Sequence, residues 1–551
     1  MCVIMIAMAF IALAFPAHFI DGTQSYWQAQ TEDVTQYQAG LLAFIQEPWH
    51  WPLLRINSLN WPTGTLATFA DIIPLYALAL KALTPILPPW IELPSNPYGY
   101  WVGLCVILQA IAAWWILRAA RINDGIALVC LTVFIMLFPA WLSRMGHISL
   151  LSQWLIGFAL ALCIAEKESG LAKPYAWLTL IMVSSLINIY LCAMLCCMGF
   201  AQALQWRNCM RAKQFQYLLA SAIGLCGLEL LTMIWPLPKD NGIPDGGYAL
   251  YSLNVLAPVS GTPQNLLHFS LASPQQAFEG FNYLGVGGLL LIVCAALCMF
   301  MPESMMKWFR KKTANEPLHQ TPARCWPPLS LPVLCALVLM ACYALSNQIF
   351  IGKSLLIQWP EPRFLHWLTG QFRASGRFFW PLGYALLVCS FLVLIRKLPR
   401  RAAHLIFILA LSVQVLDLWP QIQTLQQLKA KTDAQVISFA QWQQQLPALT
   451  QHLYFYPKMR CATQSDLYHT LLPVMLFAAQ ERLTINTAYL ARYTPTCHQE
   501  GSEIAQSNPQ NSVYIFTQQD YSHQELTHFF PKDWKIQCHT QDFAWLCSRV
   551  D

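Results

Sequence analysis

The sequence predicts an α-helical polytopic membrane protein of about eleven transmembrane helices, N-terminus inside and C-terminus outside, followed by a small extracytoplasmic α/β domain. Three observations carry this: an apolar composition, apolar runs of spanning length, and basic residues that alternate between the loops joining them. The 551 residues are 56% hydrophobic and 11% charged, against about 45–50% and about 25% in soluble domains.

Crossing about 30 Å of hydrocarbon takes roughly twenty apolar residues. Runs of that kind lie near 2–20, 101–119, 125–142, 148–166, 215–235, 284–301, 329–350, 375–396 and 402–420. The first lacks the basic start and small-residue cleavage site of a removable signal and reads as a retained span. Residues 174–206 are too long for one span and read as a tight helical hairpin turning near Asn188 and Tyr190. The run 72–87 carries Lys81 at its middle and Pro74, Pro85, Pro88 and Pro89 around it. Counting it as a span would reverse every later loop, so it reads as re-entrant or interfacial.

Lys and Arg in short loops mark the cytoplasmic side. Arg118 and Arg121, Lys167 and Lys173, Arg207 to Lys213, Lys307 to Lys312 with Arg324, and Arg396 to Arg401 fall on alternate loops. Over residues 1–420 that side holds 16 basic residues and the other 8. The large loops 21–100, 236–283 and 351–374 are then outer loops. Because the basic residues act as topology signals between apolar runs and form no single face, they exclude a nucleic-acid footprint.

The membrane domain covers 1–420, and from 421 the chain turns polar. A Gln-rich amphipathic stretch comes first, then short β-like runs at His452–Tyr456, Leu483–Asn486, Ser512–Thr517 and Trp534–Cys547. Four of the 19 cysteines fall here: Cys461, Cys497, Cys538 and Cys547. An even number in an oxidising compartment suits two disulfides. Two alternating runs flanking His539 to Asp542 form a hairpin that brings Cys538 to Cys547, leaving Cys461 with Cys497.

Candidate chemistry concentrates in the first outer loop, where Glu32 and Asp33 precede Gln36, Tyr37 and the aromatic stretch Pro48-Trp49-His50-Trp51-Pro52. One reading makes the acidic pair a helix N-terminus, capped by Thr31 and favoured by the macrodipole. The other makes one carboxylate a general base for an acceptor hydroxyl, with the loop tryptophans, Trp49 among them, as stacking surface for a sugar. Asp71 is a second acid or the cap of the helix after it. On the outer side, Arg373 and Arg377 lie four apart at the start of a span, so on a helix both would face one way and suit a phosphate; the alternative is interfacial snorkelling. Arg144 and His147 would assist them, and Glu279, Tyr283 and Arg363 are second-rank candidates. The sequence has no Walker loop, no dinucleotide fingerprint and no HExxH motif. No cofactor is indicated by a motif; without a clean Asp-x-Asp, the place for a divalent metal would be Glu32 and Asp33.

Several phrases resemble a known architecture. Asp33-x-x-Gln36, Glu47-Pro48-Trp49, Asp71-Ile72-Ile73-Pro74-Leu75, Gly146-His147-Ile148-Ser149-Leu150, Glu279-Gly280-Phe281-Asn282-Tyr283-Leu284-Gly285, the Arg373-Ala374-Ser375-Gly376-Arg377 stretch and Asn486-Thr487-Ala488-Tyr489-Leu490-Ala491-Arg492 are similar to a family of bacterial multi-spanning proteins assigned a GT-C glycosyltransferase architecture. That resemblance covers nearly the whole chain. It implies an inverting transfer at the non-cytoplasmic face of the bacterial inner membrane, from a polyprenyl-phosphate-linked sugar donor to a glycan or lipid acceptor. Asp33 would be the base, with Glu32 as alternate or metal-side helper, and membrane lipid the surroundings. A transporter or flippase of lipid-linked intermediates and a non-catalytic envelope assembly protein are the competing functions. Ionisable residues near the midplane would favour transport.

Overall fold

The computed structural model describes residues 1–86, 96–165, 174–206, 210–235, 247–301, 328–430 and 436–550. Pro88, Pro89, Lys167, Lys173, Arg207 and the basic stretch 307–324 lie outside them. The chain divides into two compact units. One comprises Met1–Ala17, Tyr100–Cys226 and Asp245–Leu428; the other comprises His18–Gly99, Gly227–Pro244 and Lys429–Asp551.

Three described helical segments are long and apolar enough to cross a membrane: Tyr98–Ala119, Ser375–Lys397 and Arg400–Gln426. The other expected spans are shorter as helices, and local chemistry says why. The first run forms a helix only over Cys2–Ala14, ending before Pro16. Gly125–Met136 stops short of Pro139, whose ring disfavours a helical residue before it, and a short second piece follows at Pro139–Leu142. Leu331–Leu345 ends at Ser346, which takes a left-handed φ of 62°. The apolar run beyond it, expected to be helical to 350, instead enters a β-hairpin of β3 (Gln348–Ile351) and β4 (Ser354–Gln358), preceded in the chain by the two-residue strands β1 (Arg55–Ile56) and β2 (Thr65–Leu66). The 174–206 hairpin is present as Pro174–Ser185 and Ile189–Trp206, turning at 186–188.

Glycine sets the closest helix packing in this unit. A Cβ on Gly287 would stand 2.1 Å from the Ala410 carbonyl oxygen and 2.6 Å from Gln414 Cβ, so the Val286–Phe300 and Arg400–Gln426 helices meet through that gap. Gln414 closes it, accepting from Gly288 N (3.0 Å) and donating to Leu284 O (3.3 Å). Gly287→Val is expected to cost about 1–3 kcal/mol by overpacking, read as a lower thermal midpoint in detergent. An unchanged midpoint would refute the close approach.

Charged side chains in this unit gather at the two ends of the Trp380–Lys397 helix, which at 1.5 Å per residue are about 27 Å apart. Beyond its C-terminal end, Asp124 caps Gly125–Met136 and receives Arg400 Nε (2.7 Å) and His404 Nε2 (3.0 Å). Nearby, Arg396 donates to Ala120 O and Lys397 to Cys298 O. At its N-terminal end lies Arg377, described below.

The second unit is built on a five-stranded sheet ordered β6-β5-β7-β9-β8, with β5 (His452–Tyr456), β6 (Thr484–Ile485), β7 (Ser512–Thr517), β8 (Ile536–Gln541) and β9 (Ala544–Arg549). β5 runs parallel to β6 and β7, while β7–β9 and β9–β8 are antiparallel. All four expected β runs are present. Cys538 faces Cys547 across the β8–β9 hairpin, and both expected disulfides form, Cys461–Cys497 and Cys538–Cys547.

The first loop belongs to this unit, which the linear division at residue 420 does not anticipate. Ile485 N donates to Ser58 O (2.8 Å) and Trp61 N to Ile485 O (2.9 Å), so residues 58–61 extend the β6 edge. The Asp33–Gln46 helix packs on Leu471–Gln480. The Lys81 ammonium, the charge that interrupts the run 72–87, is buried: it donates to Phe44 O (2.8 Å) and lies over the Phe44 ring. A cation at the carboxyl end of a helix complements its dipole and its open carbonyls. The run itself is helical only over Pro74–Leu83.

Candidate functional site

Glu279 is the meeting point of the residues expected on the outer side of the membrane unit. It follows the five-residue helix Pro274–Phe278 and is 6% exposed. Arg377 reaches it from the 3-10 turn Ser375–Phe379, donating from Nε to Oε2 (3.0 Å) and from Nη2 to Oε1 (2.6 Å). Arg144 donates from Nη1 to Oε2 (3.0 Å) and from Nη2 to the Phe278 carbonyl (2.8 Å). His147 Nε2 stands 3.2 Å from Oε1. Aromatic faces complete the enclosure: Arg144 lies over Phe278 and Trp380, and Arg377 over Tyr190.

The electrostatics follow from this geometry. Burial alone would raise the Glu279 carboxyl, but the Arg377 guanidinium, then His147 and Arg144, hold it well below the usual carboxylate range. Burial pulls the Arg144 guanidinium down to about 10, still charged at neutral pH. A bidentate Arg–carboxylate pair in low dielectric is among the strongest polar contacts a protein makes.

This revises two expectations. Arg144 and Arg377 are both already paired with the Glu279 carboxylate, and Arg144 also donates to the Phe278 carbonyl while its buried Nε has no hydrogen-bond partner among the described residues; the carboxylate treated as second-rank is the centre. Nor do Arg373 and Arg377 share a helix face, because Arg373 lies in the bend between His366–Gln371 and Ser375–Phe379. Arg373 makes no ion pair or hydrogen bond among the described residues, yet its charge, like those of Arg377 and Glu279, acts on the Tyr190 hydroxyl. That hydroxyl accepts from Ala374 N (3.1 Å). Three guanidiniums stand against Glu279 and, one tyrosine further on, Glu361, whose charge acts on the Tyr343 hydroxyl, so the balance is positive. Tyr283 is elsewhere: fully buried, it donates to Asp417 Oδ2 (2.8 Å), which also receives Val286 N, and its role is to hold the loop. Arg363 is exposed.

The acidic pair lies in the second unit. Glu32, and not Thr31, is the N-cap of Asp33–Gln46, in a capping box with Thr35. That places the Glu32 side chain at the helix terminus, as the capping reading of the acidic pair expects. Asp33 occupies the first turn, partly exposed, and accepts from Tyr468 Oη (3.4 Å), which in turn accepts from Tyr489 Oη (3.0 Å). Gln36 is buried and donates to the Tyr489 carbonyl (2.9 Å). Tyr468 and Tyr489 were not among the sequence candidates, although Tyr489 stands in the quoted Asn486-to-Arg492 phrase. Asp71 is not the cap of the helix after it: the N-cap of Pro74–Leu83 is Ile73, and Asp71 is the C-cap of the preceding 3-10 helix Ala67–Ala70, with φ 56°. Trp49 is half-exposed, within 5.0 Å of the Lys81 ammonium. Among the described residues no cluster of three His, Cys, Asp or Glu side chains could hold a metal ion.

Comparison with protein families places residues 4–419 in the domain of unknown function DUF6311. The chain belongs to the DUF6311 family. Residues 441–549 match the DUF6311 C-terminal domain, so the two family segments part where the composition changes. No curated protein matches the chain. In this DUF6311 member, the Glu279 cluster and the Arg373 bend fall within the first segment, Tyr468 and Tyr489 within the second.

Proposed function

We propose that this protein is a multi-spanning GT-C-type glycosyltransferase that takes a sugar from a polyprenyl-phosphate carrier at the outer face of the inner membrane. The observation that carries the reading is the assembly around Glu279. Arg144 and His147, the 188–190 turn, Glu279, and Arg373 with Arg377 come from four loops that the charge alternation puts on one side. Asp124, Arg396, Lys397, Arg400 and His404 come from loops that it puts on the other. Side chains sorted by a positive-inside count thus gather at opposite ends of one helix. This supports eleven alternating spans, N-inside and C-outside. Two disulfides in residues 461–547 suit an extracytoplasmic C-terminal domain.

A net positive cluster at the outer interface suits a phosphate leaving group, whose charge grows as the glycosidic bond breaks. Arg373 is its candidate ligand, with Arg377 and Arg144 fixed by Glu279 as the positive background. In the same reading Asp33 is the base. It is partly exposed, where an acceptor hydroxyl can approach it from solvent, and Tyr468 donates to it. In the described apolar helices most Asp, Glu, Lys and Arg stand toward the ends, the buried Asp417 of Arg400–Gln426 being an exception, a distribution that favours an enzyme over ion-coupled transport.

The test is sugar transfer by the full chain in lipid, with a polyprenyl-phosphate sugar as donor. Asp33→Asn is expected to lower turnover by about a hundredfold to ten-thousandfold with an unchanged thermal midpoint. Arg373→Ala is expected to weaken donor use while Arg363→Ala does not. Full activity in Asp33→Asn would remove the assignment of the base.

A further inference from the structure

The β3–β4 ribbon has no counterpart in the functional reading, and its composition is unusual for a hairpin outside a core. In an antiparallel ribbon, side chains alternate between faces, and one wetted face is normally polar. Here Ile349 pairs with Ile357 and Phe350 with Leu355, with Leu356 the extra residue of a β-bulge between the two pairs; Ile349 and Phe350 are consecutive in β3, so the two pairs lie on opposite faces and both faces are apolar. Every residue of β4 is exposed, Leu356 and Ile357 at 56% each. The segment 363–371 adds Phe364 at 73% and Trp367 at 68%.

The ribbon is nevertheless firmly mounted. The buried Asn254 side chain accepts from Gly352 N (3.0 Å) and donates to Gly352 O (2.8 Å), and Val255 N donates to Phe350 O (3.0 Å). Trp359 N donates to Asn347 O (3.1 Å), closing the base. A two-stranded ribbon is marginal by itself, and one exposing two apolar faces to water would associate with other chains. The sequence on either side identifies what covers it. It follows the apolar helix Leu331–Leu345 by two residues and precedes the spanning segment Ser375–Lys397. Lys353 at its tip and Arg363 beside it supply cations at headgroup level, and Trp359 and Trp367 are the residue type that populates that level.

We propose that residues 348–371 form an interfacial anchor seated in the non-cytoplasmic leaflet, with membrane lipid as the occupant of both ribbon faces. The open edge of β4 sets the depth: unpaired backbone groups cannot enter hydrocarbon, so the ribbon rests among headgroups and the first chain segments. It would hold Arg373, two residues past its end, at the height of a lipid phosphate. The inference rests on the topology proposed above.

The experiment uses the full chain in nanodiscs of phosphatidylglycerol and phosphatidylcholine, with a coumarin amino acid incorporated at Leu356, Trp367, Leu409 or Gln541. Leu409 is exposed in the middle of Arg400–Gln426, and Gln541 ends β8. Probes at 356 and 367 are expected to lose most of their emission to lipids brominated near the chain carbonyls and to resist aqueous iodide, whereas the 541 probe does the reverse. If 409 is quenched by brominated lipid while 356 and 367 respond to iodide like 541, the anchor is refuted and the spans stand. If 409 also escapes the lipid quencher, the membrane topology fails and the anchor with it.

Discussion

Glu279→Gln is expected to destabilise the membrane unit by about 3–5 kcal/mol, the usual cost of leaving a buried charge without its partner. Arg144 has a side chain 0% exposed and no route to water, so the uncompensated guanidinium must either stay buried or open the packing against Trp380. Thermal unfolding in detergent reads the loss, and Arg144→Met added to Glu279→Gln should recover part of it. The pH dependence has a definite sign. The folded-state pKa of Glu279 is depressed, so its contribution is complete above the ordinary carboxylate value and is lost as pH falls through the lower folded value. The gap in midpoint between wild type and Glu279→Gln should therefore be widest near neutrality and narrow in acid. A gap that widened in acid would contradict the assignment of charge.

Removing the Cys461–Cys497 disulfide is expected to cost about 4 kcal/mol, against about 2.5 kcal/mol for Cys538–Cys547, from loop-closure entropy at sequence separations of 36 and 9. The longer bridge ties the segment after β5 to the one before Glu500–Gln506, and no ladder hydrogen bonds back it up. The shorter one joins residues already paired in β8 and β9. Denaturant midpoints of Cys461→Ser/Cys497→Ser and Cys538→Ser/Cys547→Ser, followed by protease sensitivity of residues 436–550, distinguish them. Equal losses would argue against an entropic origin.

Local signals were read correctly where they were local. The runs 452–456 and 512–517 announced β5 and β7 by their β-branched and aromatic content, and the Asn188 turn broke a run too long for one helix. The β3–β4 ribbon was hidden because hydropathy counts 329–350 as one apolar stretch, although Ser346-Asn347 is a turn signal within it. The candidate site was legible as a set of residues and illegible as an arrangement. Arg144, His147, Arg377 and Glu279 were all selected, but the pairs that join them are separated by 98 to 135 residues, and no spacing rule reaches that far. Glu32 and Asp33 show the same limit: adjacent in sequence, one is the helix N-cap in a capping box with Thr35 and the other accepts from Tyr468, 435 residues away.

The extension of β6 by residues 58–61 has a consequence for biogenesis. The strand that completes that edge is made more than 400 residues after the loop that lies beside it. At about 5–20 residues per second, the first loop waits roughly 20 to 85 seconds, its Asp33–Gln46 helix without the Leu471–Gln480 partner. A nascent chain halted at residue 420 would therefore carry an unfinished amino-terminal loop as well as lacking its last domain, and whatever shelters that loop must hold it until synthesis ends.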